Sequence, residues 1–312
     1  TEDKFLTEQG MAKGSMALID EARAAAIYDA MGPATEISGG SAANTIAGVA
    51  NLGARAAFVG KVRNDQLGNV FSHDIRAAGV AFATHAASHG PATARCYVLV
   101  SPDGERTMNT YLGAAQDLSP ADIDPVQIAA SWIVYLEGYL WDPANAKEAF
   151  LKASKIAHEN KRSVALTLSD AFCVGRYRDE FLDLIRSKTV DLVFANEAEL
   201  ASLYQTDDFD KALVQLRGDA TLAVVTRSEK GCVVVAKDKV TPVPASPVKQ
   251  VVDTTGAGDL FAAGFLFGTV RGLSHEQCGR LGALAAAEVI QHIGARPQTS
   301  LKALAQEAGL PA

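Results

Sequence analysis

Positions 251–265 read Val-Val-Asp-Thr-Thr-Gly-Ala-Gly-Asp-Leu-Phe-Ala-Ala-Gly-Phe, a stretch that can combine an anion cradle with a proton acceptor. It has the form of a strand end, a turn of small residues and a helix with apolar side chains at Leu260, Phe261, Phe265 and Leu266. Gly256, Ala257 and Gly258 carry little or no side chain, so backbone N–H groups at the helix start can approach an anion closely. The positive end of the helix dipole adds to that attraction, and charge building on transferring phosphoryl oxygens is what such a cradle would stabilise. Asp259, in the first turn, can accept the proton of an attacking hydroxyl. The chemistry suggested is phosphoryl transfer to an alcohol. A plainer use of the same residues is an N-cap at Asp259 and a glycine turn before it.

Other segments carry polar residues in a useful spacing. In Ser38-Gly39-Gly40-Ser41-Ala42-Ala43-Asn44-Thr45 the paired glycines permit close backbone approach, and the Asn44 amide can donate to and accept from a diol. Asn44 could equally cap an Ala-rich helix over 45–52. Asn196-Glu197-Ala198-Glu199 follows an apolar run, and Thr226-Arg227-Ser228-Glu229-Lys230-Gly231 follows another. Taken alone, a glutamate such as Glu199 is ordinarily a solvated helix residue.

Together these segments resemble the ribokinase (PfkB) family, from about 39 to 297 and in the family's order. The string Asp253-Thr254-Thr255-Gly256-Ala257-Gly258-Asp259 is similar to its C-terminal signature. The resemblance implies a three-layer α/β/α fold with a mainly parallel central sheet and a small antiparallel β lid. It implies an ATP-dependent kinase in which Asp259 is the base and Gly256, Ala257 and Gly258 form the anion hole. Gly39, Gly40, Ser41 and Asn44 inherit contacts to substrate hydroxyls, with Gly60-Lys61-Val62-Arg63-Asn64-Asp65-Gln66-Leu67-Gly68 as the family's next motif. Asn196 and Glu199 match the pair that organises Mg2+ and phosphate through water. Thr226 and Gly231 match the nucleotide loop, in which Ser228 replaces the middle glycine. Asp253 and the Thr255 carbonyl match positions that hold K+ in many members. The family also opens with a central strand bearing a substrate-binding Asp. This chain starts with the polar Thr1-Glu2-Asp3-Lys4, so a strand of roughly five or six residues is expected upstream.

Within the family, the Gly-Gly-Ser-x-x-Asn-Thr form and Leu168-Ser169-Asp170-Ala171-Phe172 look closest to adenosine kinases. Phe172 would then stack on the purine, unless it fills the core. Arg106 resembles a lid arginine that reaches the phosphates, and a guanidinium suits bidentate phosphate contact. The expected reaction is transfer of the γ-phosphate of ATP to the 5'-hydroxyl of adenosine, with a sugar kinase as the alternative. A non-catalytic nucleoside-binding protein is a third reading, against which the intact Gly-Ala-Gly-Asp turn speaks.

The elements that must position these residues follow a βαβ rhythm. Strand-like runs at 56–59, 132–137, 163–168, 192–196 and 222–226 alternate with amphipathic stretches such as 144–160 and 180–187. That pattern predicts a largely parallel sheet with helices on both faces. Two segments, 11–38 and 94–112, break the rhythm. In the second, the runs 96–100 and 106–111 flank Ser101-Pro102-Asp103-Gly104, a hairpin signal. Both are expected to form a lid on one domain spanning 1–312, and a lid that excludes water would suppress wasteful ATP hydrolysis.

Bulk properties narrow the partners. A formal net charge of -7 opposes binding to nucleic acid. No apolar run approaches the roughly 18 to 20 residues of a membrane span, and the polar start lacks a signal peptide's core, which points to the cytoplasm. Neither G-x-x-x-x-G-K-[ST] nor G-x-G-x-x-G occurs, so a phosphate site must be built differently. Cys96, Cys173, Cys232 and Cys278 are far apart and read as buried thiols rather than zinc ligands. His85 and His89 lie four apart with no third zinc ligand near them. A small-molecule substrate and a monomer or homodimer are expected.

Overall fold

A computed structural model describes residues 3–103 and 105–312. Its strands are β1 (Met16–Leu18), β2 (Ala56–Phe58), β3 (Val80–Phe82), β4 (Arg95–Val100), β5 (Arg106–Tyr111), β6 (Ile133–Glu137), β7 (Ser163–Thr167), β8 (Leu192–Asn196), β9 (Leu222–Thr226), β10 (Cys232–Ala236) and β11 (Val240–Val243). Its helices are α1 (Asp3–Glu8), α2 (Glu21–Ala30), α3 (Ser41–Asn51), α4 (Gln66–Ala77), α5 (Pro125–Ala130), α6 (Ala144–Glu159), α7 (Ala171–Arg186), α8 (Glu197–Tyr204), α9 (Phe209–Asp219), α10 (Ala257–Val270), α11 (His275–Val289) and α12 (Leu301–Glu307).

Six strands form the main sheet in the order β11-β10-β9-β8-β7-β6. β6 to β9 run parallel, while β10 and β11 close the far edge antiparallel. Strand side chains alternate between faces, and this splits the core into two layers. Val164, Leu166, Val193, Ala195, Ala223, Val225, Val233 and Val235 face α6, α7, α8 and α9. Ala165, Leu192, Phe194, Val224, Cys232 and Val234 face α10, α11 and α12. The expected α/β/α sandwich is the result. Helix α10 is buried from Leu260 through Gly268, as a helix apolar all round must be. Each large apolar side chain so buried contributes about 1.5–3 kcal/mol, so the start of α10 is held on a rigid support.

β2 and β3 form a separate parallel pair. Among the described residues no strand joins that pair to β6. The lid is a three-stranded sheet, β1-β5-β4, with its own small core of Ala24, Ile27, Tyr97 and Tyr111. Its β4–β5 hairpin is antiparallel as predicted, whereas β1 joins β5 in parallel. Gly104 of the predicted turn lies outside the described residues, as do Thr1 and Glu2. Helix α7 begins at Ala171, well before the predicted 180, because Asp170 accepts the Cys173 N–H and caps it. A non-helical Tyr177 inside α7 interrupts the periodicity that would have revealed this. Cys173, Cys232 and Cys278 are buried as expected, but Cys96 is exposed. On β4 the buried positions fall to Tyr97 and Leu99, leaving Cys96 on the outer side.

Candidate active site

The parallel strands deliver their carboxyl ends to one sheet edge, where Glu137, Thr167, Asn196 and Thr226 terminate β6 to β9. Crevices outside such strand ends are the usual ligand sites of open α/β sheets. Helices α3 and α10 bring the remaining groups to that edge.

Gly256 is the N-cap of α10, with φ 83, and a Cβ there would lie 2.8 Å from the Ala295 Cα. Both facts demand glycine. The Ala257 N–H turns back to the Thr254 carbonyl at 3.3 Å. The N–H groups of Gly256, Gly258 and Asp259 make no hydrogen bond among the described residues. Space beside Gly258 is open. Three backbone donors at a helix start thus remain available to an anion.

Asp259 is not a cap. Its Oδ1 accepts the Ser41 hydroxyl at 2.7 Å and its Oδ2 accepts the Asn44 side-chain amide at 2.9 Å. Asn44 is not a cap either, because α3 starts at Ser41 with Gly40 as N-cap and Asn44 lies inside the helix. The Asn44 Oδ1 is buried with no partner among the described residues, an acceptor awaiting a donor. Gly39 and Gly40 lie just before α3, and Gly40 has φ 94. Burial pushes the Asp259 carboxyl up, while the hydrogen bonds from Asn44 and Ser41 and the charge of Arg106 pull it down, leaving it above the usual range.

A second network adjoins the first. Arg106 reaches from β5 to the Thr255 hydroxyl, Nη1 to Oγ1 at 3.2 Å. Thr255 in turn donates its hydroxyl and its N–H to Asp253 Oδ1, at 2.6 and 2.9 Å. The Gly294 N–H reaches Asp253 Oδ2 at 3.2 Å. Asp253 is 4% exposed. Burial alone would raise its carboxyl, but Thr255, Gly294 and the charge of Arg106 outweigh it and hold the group below the usual range.

Farther along the edge, Asn196 and Glu199 form a capping box for α8, with Glu199 Oε2 accepting the Asn196 N–H at 3.0 Å. Glu199 is 4% exposed rather than solvated, and burial pushes it up to about 7 against the pull of that N–H. Thr226 stands beside Asn196 in register. Gly231 closes the β9–β10 turn with φ 84, and a Cβ there would lie 2.1 Å from the Val243 carbonyl oxygen. Ser228, at the family's glycine position, still has a left-handed φ of 51. Phe172 is 59% exposed at the start of α7, with the Arg176 guanidinium 4.7 Å above its ring, so it does not fill the core. Among the described residues no hydrogen bond links Phe172, Asn196, Glu199, Thr226 or Gly231 to Asp259.

Sequence reasoning overlooked Glu137 and Ser169. The Ser41 hydroxyl touches both Asp259 and Glu137 Oε2, and the Ser169 hydroxyl contacts Glu137 Oε1. The available signal was an acidic residue ending an apolar strand. Among the described residues, no group of three His, Cys, Asp or Glu side chains could hold a metal ion.

The profile described as pfkB family carbohydrate kinase matches residues 28–302. The structure of a probable sugar kinase protein from Rhizobium etli is 54% identical, with a TM-score of 0.97, covering 100% of this chain and 94% of that one. The adenosine kinase structure from Sinorhizobium meliloti is 56% identical, with a TM-score of 0.96, covering 99% of this chain and 94% of that one. Fructokinase-1 of Oryza sativa is 31% identical over 73% of this chain and 72% of its own length.

Proposed function

The chain belongs to the pfkB family of carbohydrate kinases, phosphotransferases that act on an alcohol group, and on that premise we propose that it transfers the γ-phosphate of ATP to the 5'-hydroxyl of adenosine, giving AMP and ADP. One observation carries this reading: the Asp259 carboxylate, tied to Ser41 and Asn44, lies beside unpaired N–H groups at the start of α10.

The alcohol gives its proton to Asp259 as its oxygen bonds to the γ-phosphorus and the bond to the ADP oxygen breaks. The N–H groups of Gly256, Gly258 and Asp259 receive the charge on the transferring oxygens, and Arg106 adds a guanidinium from the lid. Asn44 Oδ1 and the backbone at Gly39 and Gly40 take the substrate's other hydroxyls. Asn196 and Glu199 would position Mg2+ through water, the ion arriving on the triphosphate and neutralising its charge. Thr226 and Gly231 border the nucleotide. Asp253 is a buried anion with no ion pair among the described residues, so it suits K+, held with the Thr255 carbonyl and ordering the turn. Exchange of K+ for a large organic cation tests this, and unaltered activity removes the ion from the scheme.

The choice of adenosine rests on exposed Phe172 and on the 56% identity to the Sinorhizobium meliloti adenosine kinase. A sugar acceptor is the second reading, favoured by the fructokinase at 31% identity. Incubation with Mg-ATP and a panel of nucleosides and sugars separates the two. Turnover of a sugar with none of adenosine rejects the first.

A further inference from the structure

The hydroxyl of Ser41 lies between two carboxyls, 2.7 Å from Asp259 Oδ1 and in hydrogen-bond contact with Glu137 Oε2. A serine hydroxyl has one hydrogen. It can donate to only one carboxylate, and toward the other it can only accept, which requires a proton on that carboxyl. The Ser41 geometry therefore calls for a proton shared between Asp259 and Glu137.

Resting on the reading of Asp259 as the base, we propose that Glu137 is a positioning residue that holds this shared proton through Ser41 and so keeps Asp259 ionised to receive the proton of the alcohol. The hydrogen bonds decide which carboxyl is neutral. Asp259 Oδ2 receives the Asn44 amide, a donor that favours the anion, and Arg106 adds positive charge nearby. Burial and then the negative charge of Asp259 push Glu137 up to about 8, with the Ser169 hydroxyl as the leading opposing donor. With the proton on Glu137 Oε2, every contact is satisfied: Glu137 donates to Ser41, Ser41 donates to Asp259, and Ser169 donates to Glu137 Oε1.

The support beneath Glu137 is specific. Ser169 has φ 75, a left-handed conformation rare for a non-glycine. Its hydroxyl accepts the Tyr139 N–H at 3.1 Å, which directs its own hydrogen to Glu137. The titratable groups facing Glu137 are Asp259 from α10, Tyr135 from β6, Tyr139 from the following turn and Cys173 from α7. Asp170 and Glu199 act on Tyr139, and Arg106 acts on Asp259. None of the described cations forms an ion pair with Glu137. During the reaction the alcohol proton passes to Asp259 and then to water, while the proton on Glu137 stays. When Glu137 ionises, two anions compete for the single Ser41 hydrogen beside the site of an incoming triphosphate, and turnover falls.

The test is a carboxyl titration of wild-type protein carrying 13C at the glutamate side-chain carboxyl, without nucleotide, followed by NMR. One resonance titrating near pH 8 is expected, absent in Glu137→Gln and shifted in Ser41→Ala, while the high-titrating resonance of Glu199 stays in place. In kinetics, kcat/KM of the wild type falls above about pH 8, and Glu137→Gln, whose amide still donates to Ser41, lacks that limb. If Glu137 titrates with the bulk glutamates, or if Glu137→Gln keeps the alkaline limb, the proposal is overturned. Should Glu137→Gln not fold, the wild-type resonance and its response to Ser41→Ala decide. A high titration in a protein that phosphorylates no alcohol overturns the kinase reading and leaves the shared proton standing.

Discussion

Asn44 donates its side-chain amide to the Asp259 carboxylate across 2.9 Å, joining residues 215 positions apart in the chain. That bond links the helix assigned to substrate hydroxyls with the helix assigned to the phosphoryl group. It fixes the carboxylate proposed as the base where an alcohol held by α3 would present its proton.

Asp259→Asn removes the proton acceptor while preserving the shape. The Ser41 hydroxyl can turn to accept from the new amide, so folding and ATP binding persist. Turnover is expected to fall about 10²- to 10⁴-fold, the usual share of a general base. Steady-state kinetics alongside nucleotide titration checks this, and near-normal turnover contradicts the role.

Much of this arrangement was legible from local pattern. β8 and β9 have the bounds read from the sequence, because each is an apolar run flanked by polar residues. The Gly-Ala-Gly-Asp turn was also placed at a helix start, as its small residues require. Asn44 was harder. Its cap reading used a local preference, and the partner that overrides it lies on another helix. Glu137 was missed because a strand-end glutamate has no local marker, and its setting comes from Ser41 and Ser169 on separate elements. The separate β2–β3 pair depends on which strand edges meet, something periodicity does not encode.

Arg106 connects the lid to the start of α10 through the Thr255 hydroxyl. Hydrogen bonds to charged groups contribute about 1.5–3 kcal/mol, so Arg106→Ala should lower kcat/KM for ATP about 10- to 10²-fold. Arg106→Lys should recover little, since an ammonium cannot present the planar fork. Equal kinetics in all three proteins would remove the phosphate role.

Gly256→Ala introduces a side chain where φ is 83 and the Ala295 Cα lies 2.8 Å away. Backbone strain of this kind costs about 1–3 kcal/mol. The urea midpoint should fall accordingly, and turnover should fall with it because the N–H groups of the cradle shift. An unchanged midpoint contradicts the assigned strain.

Two acids raised by burial give stability a definite pH slope. Glu137 is pushed up to about 8 and Glu199 to about 7, both from 4.5. The folded state therefore binds more protons than the unfolded one between 4.5 and these values. Their stabilising contribution is full below the unfolded value and is lost as pH rises through 7 and then 8. Asp253 and Asp65 are held below 3.8 and act with the opposite sign, but only in more acidic solution. The urea midpoint should thus drop from about pH 4.5 to about pH 8, more steeply up to about pH 7 than beyond it. Glu137→Gln should remove the drop between about pH 7 and pH 8 and make the earlier part about half as steep, since Glu199 alone then contributes there.

Phe172 separates the two substrate readings. The ring is 59% exposed and its recorded ring partner is Arg176 at 4.7 Å, so Phe172→Ala should change folding stability little. Surface changes are usually within about ±0.5 kcal/mol, and an exposed cation–π contact adds about 0.5–1 kcal/mol. If the ring stacks on a purine, its loss costs about 0.5–1.5 kcal/mol of binding. KM for adenosine should then rise about 2- to 10-fold with kcat less affected, as expected when an interaction made equally in the ground and transition states is removed. Phosphorylation of a sugar, which offers no flat face, should be insensitive. Adenosine kinetics unmoved by Phe172→Ala would leave the purine without its platform, and the case for a nucleoside acceptor would then rest on similarity to relatives alone.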